Sequence, residues 1–258
     1  LAAKRLMLPP QQIAGVVIVR KAVDARRYHG APIQFVYILD AKLEGKVEKK
    51  VLQKLRRDRN VEEAPVPQAP APIPAPHLER RPVVVGFGPA GMFAALTLAR
   101  HGCEPLVLER GNDVDTRHED IERFWRGGAL NPQSNVQFGE GGAGTFSDGK
   151  LTTRINDVHM KDVIEAFVAA GAPEEIRYLH KPHIGTDILR EVVRNIRKEI
   201  IRLGGTVRFG AQVTGLLQEN GRLTGLAVRA GGEVSMLPCR RAILAIGHSA
   251  RDTFEMLL

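Results

Sequence analysis

Val83-Val84-Val85-Gly86-Phe87-Gly88-Pro89-Ala90-Gly91 is a β-branched run that ends on the spacing G-x-G-x-x-G. It passes directly into Pro89–His101, a stretch with helical periodicity. Alone the hexapeptide is a weak signal; between a predicted strand and a predicted helix it marks a dinucleotide-binding turn. Gly86 permits the tight turn from strand to helix, Gly88 lets the backbone approach a pyrophosphate, and Gly91 lets the helix lie close to the sheet. Pro89 suits the first helical turn, where its missing N–H would be unpaired anyway. Ala90, Ala94 and Ala95 are small enough for the same close packing. The free N–H groups and the positive end of the helix dipole then face the phosphates. A second predicted strand, Pro105–Glu109, completes a βαβ unit. Glu109 ends that strand, 18 residues after Gly91. Its carboxylate can accept hydrogen bonds from ribose hydroxyls and would repel a 2′-phosphate. A plain glycine-rich turn with a surface glutamate is the competing reading. It is disfavoured because strand, glycines, helix, strand and acid fall in register.

Working outward, Val158–Ala170 and Thr186–Leu203 read as helices, the second with Thr186-Asp187 as cap and first turn. Three β-like runs follow, Val207–Leu217, Leu223–Val228 and Val234–Leu237. The turns Glu219-Asn220-Gly221 and Gly231-Gly232 between them predict an antiparallel meander. A last strand, Ala242–Ile246, ends in Gly247-His248-Ser249, and Ser249 with Asp252 reads as a capping box that opens a helix. Towards the N-terminus, Ile13–Val19 and Ile33–Leu39 read as strands and Val47–Leu55 as a helix with Val47, Val51, Leu52 and Leu55 on one face. Between the two halves, Pro65, Pro67, Pro70, Pro72, Pro74 and Pro76 alternate with small residues, the composition of an extended spacer. The expected organisation is a small basic α/β domain at 1–61, a Pro/Ala-rich linker at 62–81, and a larger α/β domain at 82–258.

The chain has 258 residues with a formal net charge of +8. Residues 1–60 carry 14 Lys/Arg against 5 Asp/Glu, and the remainder carry 23 against 24. The basicity thus belongs to one end. No apolar run approaches the ~18 residues a spanning helix needs, so no membrane partner is expected. Two cysteines, Cys103 and Cys239, exclude a disulfide framework. Cys103 has no Cys-x-x-Cys partner, which argues against a redox-active pair there. His180 and His183 lack further ligands nearby, so no metal is expected. The chain begins at Leu1 and shows no secretory signal, which makes the cytoplasm the expected compartment and a missing start the expected reading.

Three stretches carry a family resemblance. They are Val83–Arg110; Asn135-Val136-Gln137-Phe138-Gly139-Glu140-Gly141-Gly142-Ala143-Gly144-Thr145-Phe146-Ser147-Asp148-Gly149-Lys150-Leu151; and Ala242–Asp252. Together they resemble the FAD-dependent, or NAD(FAD)-utilising, dehydrogenases, distant relatives of the glutathione-reductase-type flavoproteins. Ile18–Arg26 and Phe35-Val36-Tyr37 resemble the leading domain of that family. The resemblance implies a Rossmann-like FAD-binding domain with an antiparallel β-meander insertion, and FAD rather than NAD at the first site. It also implies that this chain is the leading portion of a longer protein, with catalytic residues unassigned and lying further on.

In such flavoproteins a later strand ends beneath the cofactor in an Ala-Thr-Gly-like turn. Here the turn is Ala245-Ile246-Gly247, so a backbone contact is kept and a hydroxyl contact is lost. Val213 matches the position whose backbone meets the adenine, and Arg110 either covers the adenine face or stays in solvent. The segment Gly139–Gly149, with Gly142 and Gly144, either presents N–H groups to an anion or the polar edge of a flavin, or is a flexible surface loop. Lys150 either places positive charge near the flavin N1–O2 edge or is an ordinary surface lysine. His248, next to Gly247, is a minor candidate for acid–base work.

The implied activity is transfer of hydride or electrons through bound FAD. The partners are an unidentified small-molecule substrate and NAD(P)H as donor. A reading from another class makes the protein a flavin- or NAD-binding sensor or scaffold whose basic N-terminal module binds RNA or another acidic partner. The few aromatics of that module (Tyr28, Phe35, Tyr37) and the lack of an RNA-binding signature argue against nucleic acid.

Overall fold

The computed structural model describes residues 1–26, 30, 32–44, 47–55, 58–65, 78–147, 149–151, 153, 155 and 157–258. Tyr28, Asp148 and the linker prolines 67, 70, 72, 74 and 76 lie outside them. The chain forms two compact units: Leu1–Pro72 with Glu174–Pro182, and Ile73–Pro173 with His183–Leu258.

The first unit holds α1 (Ala2–Leu6), β1 (Ile13–Asp24), β2 (Gln34–Leu43) and α2 (Val47–Leu55). β1 and β2 form an antiparallel pair running from Ile13 opposite Leu43 to Asp24 opposite Gln34, with register shifts at Ile13/Gly15 and Ile18/Arg20. The strands outrun the apolar stretches Ile13–Val19 and Ile33–Leu39, because the ladder also takes in Arg20, Lys21 and Asp24. α2 buries Val51 and Leu55, four residues apart on one face. The outer edge of β1 is paired as well: Lys21 N–H donates to Tyr178 O at 2.7 Å, and His180 N–H donates to Lys21 O at 3.0 Å. A segment that the sequence reading assigned to the larger domain is therefore a third strand-like stretch of this unit.

The second unit contains β3 (Val83–Val85), α3 (Pro89–Arg100), β4 (Leu106–Leu108), α4 (Val114–Trp125), α5 (Met160–Ala169), α6 (Thr186–Arg202), β5 (Thr206–Arg208), β6 (Gln212–Glu219), β7 (Arg222–Ala230), β8 (Glu233–Pro238), β9 (Ala242–Leu244) and α7 (Arg251–Leu257). Four strands form a parallel sheet in the order β5-β4-β3-β9, and β6-β7-β8 form an antiparallel meander. The fold is thus α/β with a parallel sheet. One face of that sheet (Val83, Val85, Leu106, Leu108) packs on Val213, Leu226 and Val228 of the meander and on Cys239. The alternate residues, Val84 and Val107, are 0% exposed and point to the other face by the period of two. On that side α3 packs against α6, with Ala95, Leu96, Ile196 and Ile200 buried. Burial on both faces is what an apolar parallel strand requires.

Four local expectations are corrected. Val207–Leu217 is not one strand. It divides into β5 of the parallel sheet and β6 of the meander, because Gly210 takes φ +62° between them. Thr186 does not cap α6: Gly185 holds that position, and the Thr186 hydroxyl donates to Ser147 O at 2.7 Å. Ser249 and Asp252 form no capping box, since α7 starts after Ala250 with no side-chain cap and the Asp252 carboxylate is engaged elsewhere. α4 had no sequence signal, because its buried face mixes Val114 and Ile121 with Arg117 and Asp120. Its start is nonetheless ordinary: Asp113 accepts hydrogen bonds from the N–H groups of Asp115 and Thr116 at 3.1 and 3.3 Å.

Candidate dinucleotide site

A cleft of about 590 Å³ opens in the second unit beyond the carboxyl ends of β3, β4 and β9. This is where open α/β sheets bind ligands. Of the residues expected to hold a dinucleotide, Gly86, Gly88, Pro89, Ala90, Glu109, Arg110, Gly142, Val213, Ala245 and Gly247 line it. Gly91 lies behind this surface in the packing. Gly144 and Lys150 are exposed and do not line the cleft; Lys150 instead forms an isolated antiparallel bridge with His183.

The turn out of β3 explains two of the glycines. Gly86 sits at φ +96°, and a Cβ there would drive into the Ala245 carbonyl. A Cβ on Gly91 would overlap the Gly86 carbonyl. The turn is fixed on both sides: Gly86 N–H donates to Leu108 O and Ala245 N–H donates to Val85 O, each at 2.8 Å. Gly88 is different. A Cβ there would meet only Gly142 Cα, at 3.7 Å, an ordinary contact, so the protein alone does not demand glycine. α3 has Gly88 as its N-cap, no side-chain cap and no acid in its first turn. Its leading N–H groups are left for a ligand at the cleft.

Glu109 is 4% exposed, and its carboxylate organises three segments. Oε2 accepts from Phe87 N–H at 2.7 Å, and Oε1 accepts from Gly111 N–H at 2.8 Å and Gly139 N–H at 3.1 Å. A carboxylate has about four lone-pair sites, so one direction is left unused by these three donors.

Arg110 neither lies free in solvent nor offers an idle charge. Its two terminal nitrogens grip Asp252 at 2.9 and 2.8 Å, Nε donates to Gln133 Oε1 at 2.9 Å, and the guanidinium lies 4.4 Å from the Phe138 ring centre. Gln212 Nε2 also donates to Asp252, at 2.7 Å. The Arg110 hydrogen bond holds the Asp252 carboxyl below the usual range.

Behind the cleft wall lie two residues that sequence reading missed as functional. Arg117 on α4 is 0% exposed. It donates to Asn135 O at 2.9 Å, Val136 O at 3.0 Å and Glu140 O at 2.6 Å, with Gly139 O at 3.4 Å, and stacks 4.8 Å from the Phe146 ring centre. It threads the loop that carries Gly139 and Gly142. Burial pushes its pKa down to about 10, opposed by Glu109 and Glu140, so it is charged at neutral pH. Glu140, also 0% exposed, accepts from Val114 N–H at 2.7 Å. Arg197 Nε stands 3.0 Å from its Oε1 as an ion pair whose N–H is poorly aimed, leaving that oxygen without a hydrogen bond. Glu140 stands inside the quoted Gly-rich stretch, between Gly139 and Gly141, whereas no apolar period or motif distinguishes Arg117.

Burial raises the Glu140 pKa to about 7, against the pull of Arg197 and the Val114 N–H, with Asp113 and Asp115 adding to the rise. The folded state therefore holds this proton more tightly than the unfolded chain, whose value is 4.5. The stabilisation is full below pH 4.5 and is lost as pH rises to 7, a difference of about 3 kcal/mol. Urea unfolding at pH 5 and pH 8 should show a fall in the wild type that Glu140→Gln lacks. Equal falls in both proteins would refute the assignment.

The remaining candidates are dispersed. His180 lies in the first unit with Arg20 Nη2 2.6 Å from its Nδ1, whereas His183 belongs to the second. His248 lines the cleft with Nδ1 3.3 Å from Ser249 Oγ. Cys103 and Cys239 are buried free thiols. Among the described residues no group of three or more His, Cys, Asp or Glu could hold a metal ion, and no helix is long and apolar enough to cross a membrane.

No protein-family model matches the chain. An uncharacterized protein of Clostridium beijerinckii is 46% identical over 255 residues, which is 98% of this chain and 46% of that protein. The chain therefore spans about half the length of this relative. Solved structures are similar at much lower identity. THI4 of Thermovibrio ammonificans matches with a TM-score of 0.44 and 18% identity, over 68% of this chain and 60% of its own. The myxobacterial chondrochloren halogenase CndH, an FAD-dependent halogenase, matches at 0.40 and 18%, over 66% and 37%. Glycerol-3-phosphate dehydrogenase from Bacillus halodurans, complexed with FAD, matches at 0.40 and 14%, over 67% and 35%.

Proposed function

We propose that this chain carries the adenine-dinucleotide half of a flavin-dependent oxidoreductase, and that the cleft holds FAD. The observation that carries the reading is Gly88. It lines the cleft beside an uncapped helix start and has room for a Cβ within the protein, as expected if a ligand backbone needs that room. FAD rather than NAD is supported by the sequence resemblance at Asn135–Leu151 and Ala242–Asp252.

Bound FAD would supply a two-electron carrier able to take or give hydride. The chain's own residues would bind and orient it. The leading N–H groups of α3 and the helix dipole suit a pyrophosphate without needing a cation. The unused direction on Glu109 suits a ribose hydroxyl, and β6 is an edge strand that offers backbone groups near Val213 to an adenine edge. Of the Gly-rich segment, Gly139, Gly142 and Ala143 line the cleft, and Gly142 packs on Gly88 and Pro89. NAD(P)H as the electron donor and a small-molecule substrate are part of the same proposal, by resemblance alone.

An absorption spectrum of the purified protein tests the cofactor. Flavin bands are expected, and a colourless protein that FAD cannot reconstitute would overturn the assignment. Gly88→Asp should weaken FAD binding by about 100-fold or more, by setting a carboxylate against the phosphates, while leaving the unfolding midpoint nearly unchanged. FAD retained at wild-type affinity in that variant would mean the turn does not meet a pyrophosphate.

A further inference from the structure

Arg110 is the single arginine among the described residues that line the cleft, and no lysine joins it. Its neighbour Glu109 is the acid placed for the ribose. A ribose bearing a 2′-phosphate brings a charge near −2 and needs a guanidinium to receive it. Arg110 stands in the right sequence position to serve, one residue beyond the acid, yet its charge is already matched. Three of its five N–H groups donate to Asp252 and Gln133, and its plane lies over Phe138. Asp252 is itself fixed, by Gln212 Nε2 and by the Thr253 N–H at 2.9 Å. The Arg110–Asp252 pair is charge-matched, so Arg110 brings no unpaired positive charge to the cleft.

We propose that Asp252 is a specificity-determining residue of the cleft: by gripping Arg110 it withholds the cation that a 2′-phosphate would require, and so restricts the site to adenosine with a free 2′-hydroxyl. The proposal rests on the dinucleotide reading above and deepens it. It assigns to α7, the most distant element in sequence, a decision that a βαβ unit otherwise makes with its own second strand. The side chains differ in exposure in the direction this requires: Arg110 is 14% exposed and Asp252 46%, so loss of the acid would uncover the guanidinium at the rim.

The test is titration calorimetry of the flavin-stripped chain with ADP-ribose and with ADP-ribose 2′-phosphate. The wild type should favour ADP-ribose by about tenfold or more, the worth of one charge-assisted contact. Asp252→Asn should tighten binding of the 2′-phosphate by about tenfold and change ADP-ribose by less than about threefold. The gain should vanish in Arg110→Gln/Asp252→Asn. Equal shifts for both ligands, no shift, or a gain that survives in the double variant would overturn the proposal. Arg110→Gln alone leaves Asp252 uncompensated and should widen the preference for ADP-ribose; equal weakening of both ligands would instead show that Arg110 touches their common part. That single variant decides the matter if Asp252→Asn does not fold. Failure of the wild type to bind either FAD or ADP-ribose is a different result, and would remove the dinucleotide reading itself.

Discussion

Glu109→Ala should lower the unfolding free energy by about 4 kcal/mol, because three backbone N–H groups lose their acceptor at once and each buried orphan costs about 1–3 kcal/mol. The donors belong to Phe87, Gly111 and Gly139, so the loss falls on the β3 turn, the end of β4 and the Gly-rich segment together. Against a typical domain stability of about 5–15 kcal/mol, the variant should be partly unfolded at moderate temperature. Denaturant titration is the measurement, with the midpoint falling and the slope preserved. Glu109→Gln should lie between, since its amide keeps one acceptor oxygen and turns an NH₂ against the donors at the other position. A Glu109→Ala protein with wild-type stability would mean the carboxylate does not hold these segments.

Arg117→Met keeps much of the volume of the side chain and removes every donor. The buried Glu140 carbonyl and the part-buried carbonyls of Asn135 and Val136 then lose this donor, and Glu140 loses a nearby positive charge. A loss of about 3–5 kcal/mol is expected. Its local mark should be rapid amide exchange at Gly139–Gly142 while β3 and β4 stay protected. Arg117→Lys should recover part of this, because an ammonium can reach some of the carbonyls but lacks the planar fork that spans all of them. Uniform loss of protection across the sheet, with no excess at Gly139–Gly142, would show that Arg117 supports the core rather than the loop.

The parts of the site that were legible in sequence are those written in local code. Val83–Val85, Gly86, Gly91 and Glu109 lie within one βαβ unit, and each satisfies a steric or hydrogen-bonding need that residue spacing exposes. The meander was legible from its turns, where Asn220 and Gly221 take φ +51° and +72° and Gly231 and Gly232 take +58° and +89°. What could not be read depends on partners far along the chain. Lys21 pairs with residues 178–180, and nothing in Tyr178-Leu179-His180 announces a strand. Arg110 meets Asp252 across 142 positions, which turned an apparent cap residue into a counter-charge. α4 was hidden because Arg117 and Asp120 occupy its inner face, where periodicity analysis looks for apolar residues. The Gly-rich segment was identified as a unit, but the structure divides it: Gly142 meets the cleft, whereas Gly144 and Lys150 face solvent.

The way Glu109 and Arg117 use their hydrogen bonds also bears on when the cleft acquires its shape. Acceptor and donor groups that could have waited for a cofactor are already joined to backbone from three segments, so the ordering entropy is lost during folding rather than on ligand arrival. Newly made chain should thus present a finished receptor to whatever dinucleotide it meets, with association limited by encounter rather than by rearrangement. Faults in this part of the molecule would then surface first as shortened lifetime of the polypeptide.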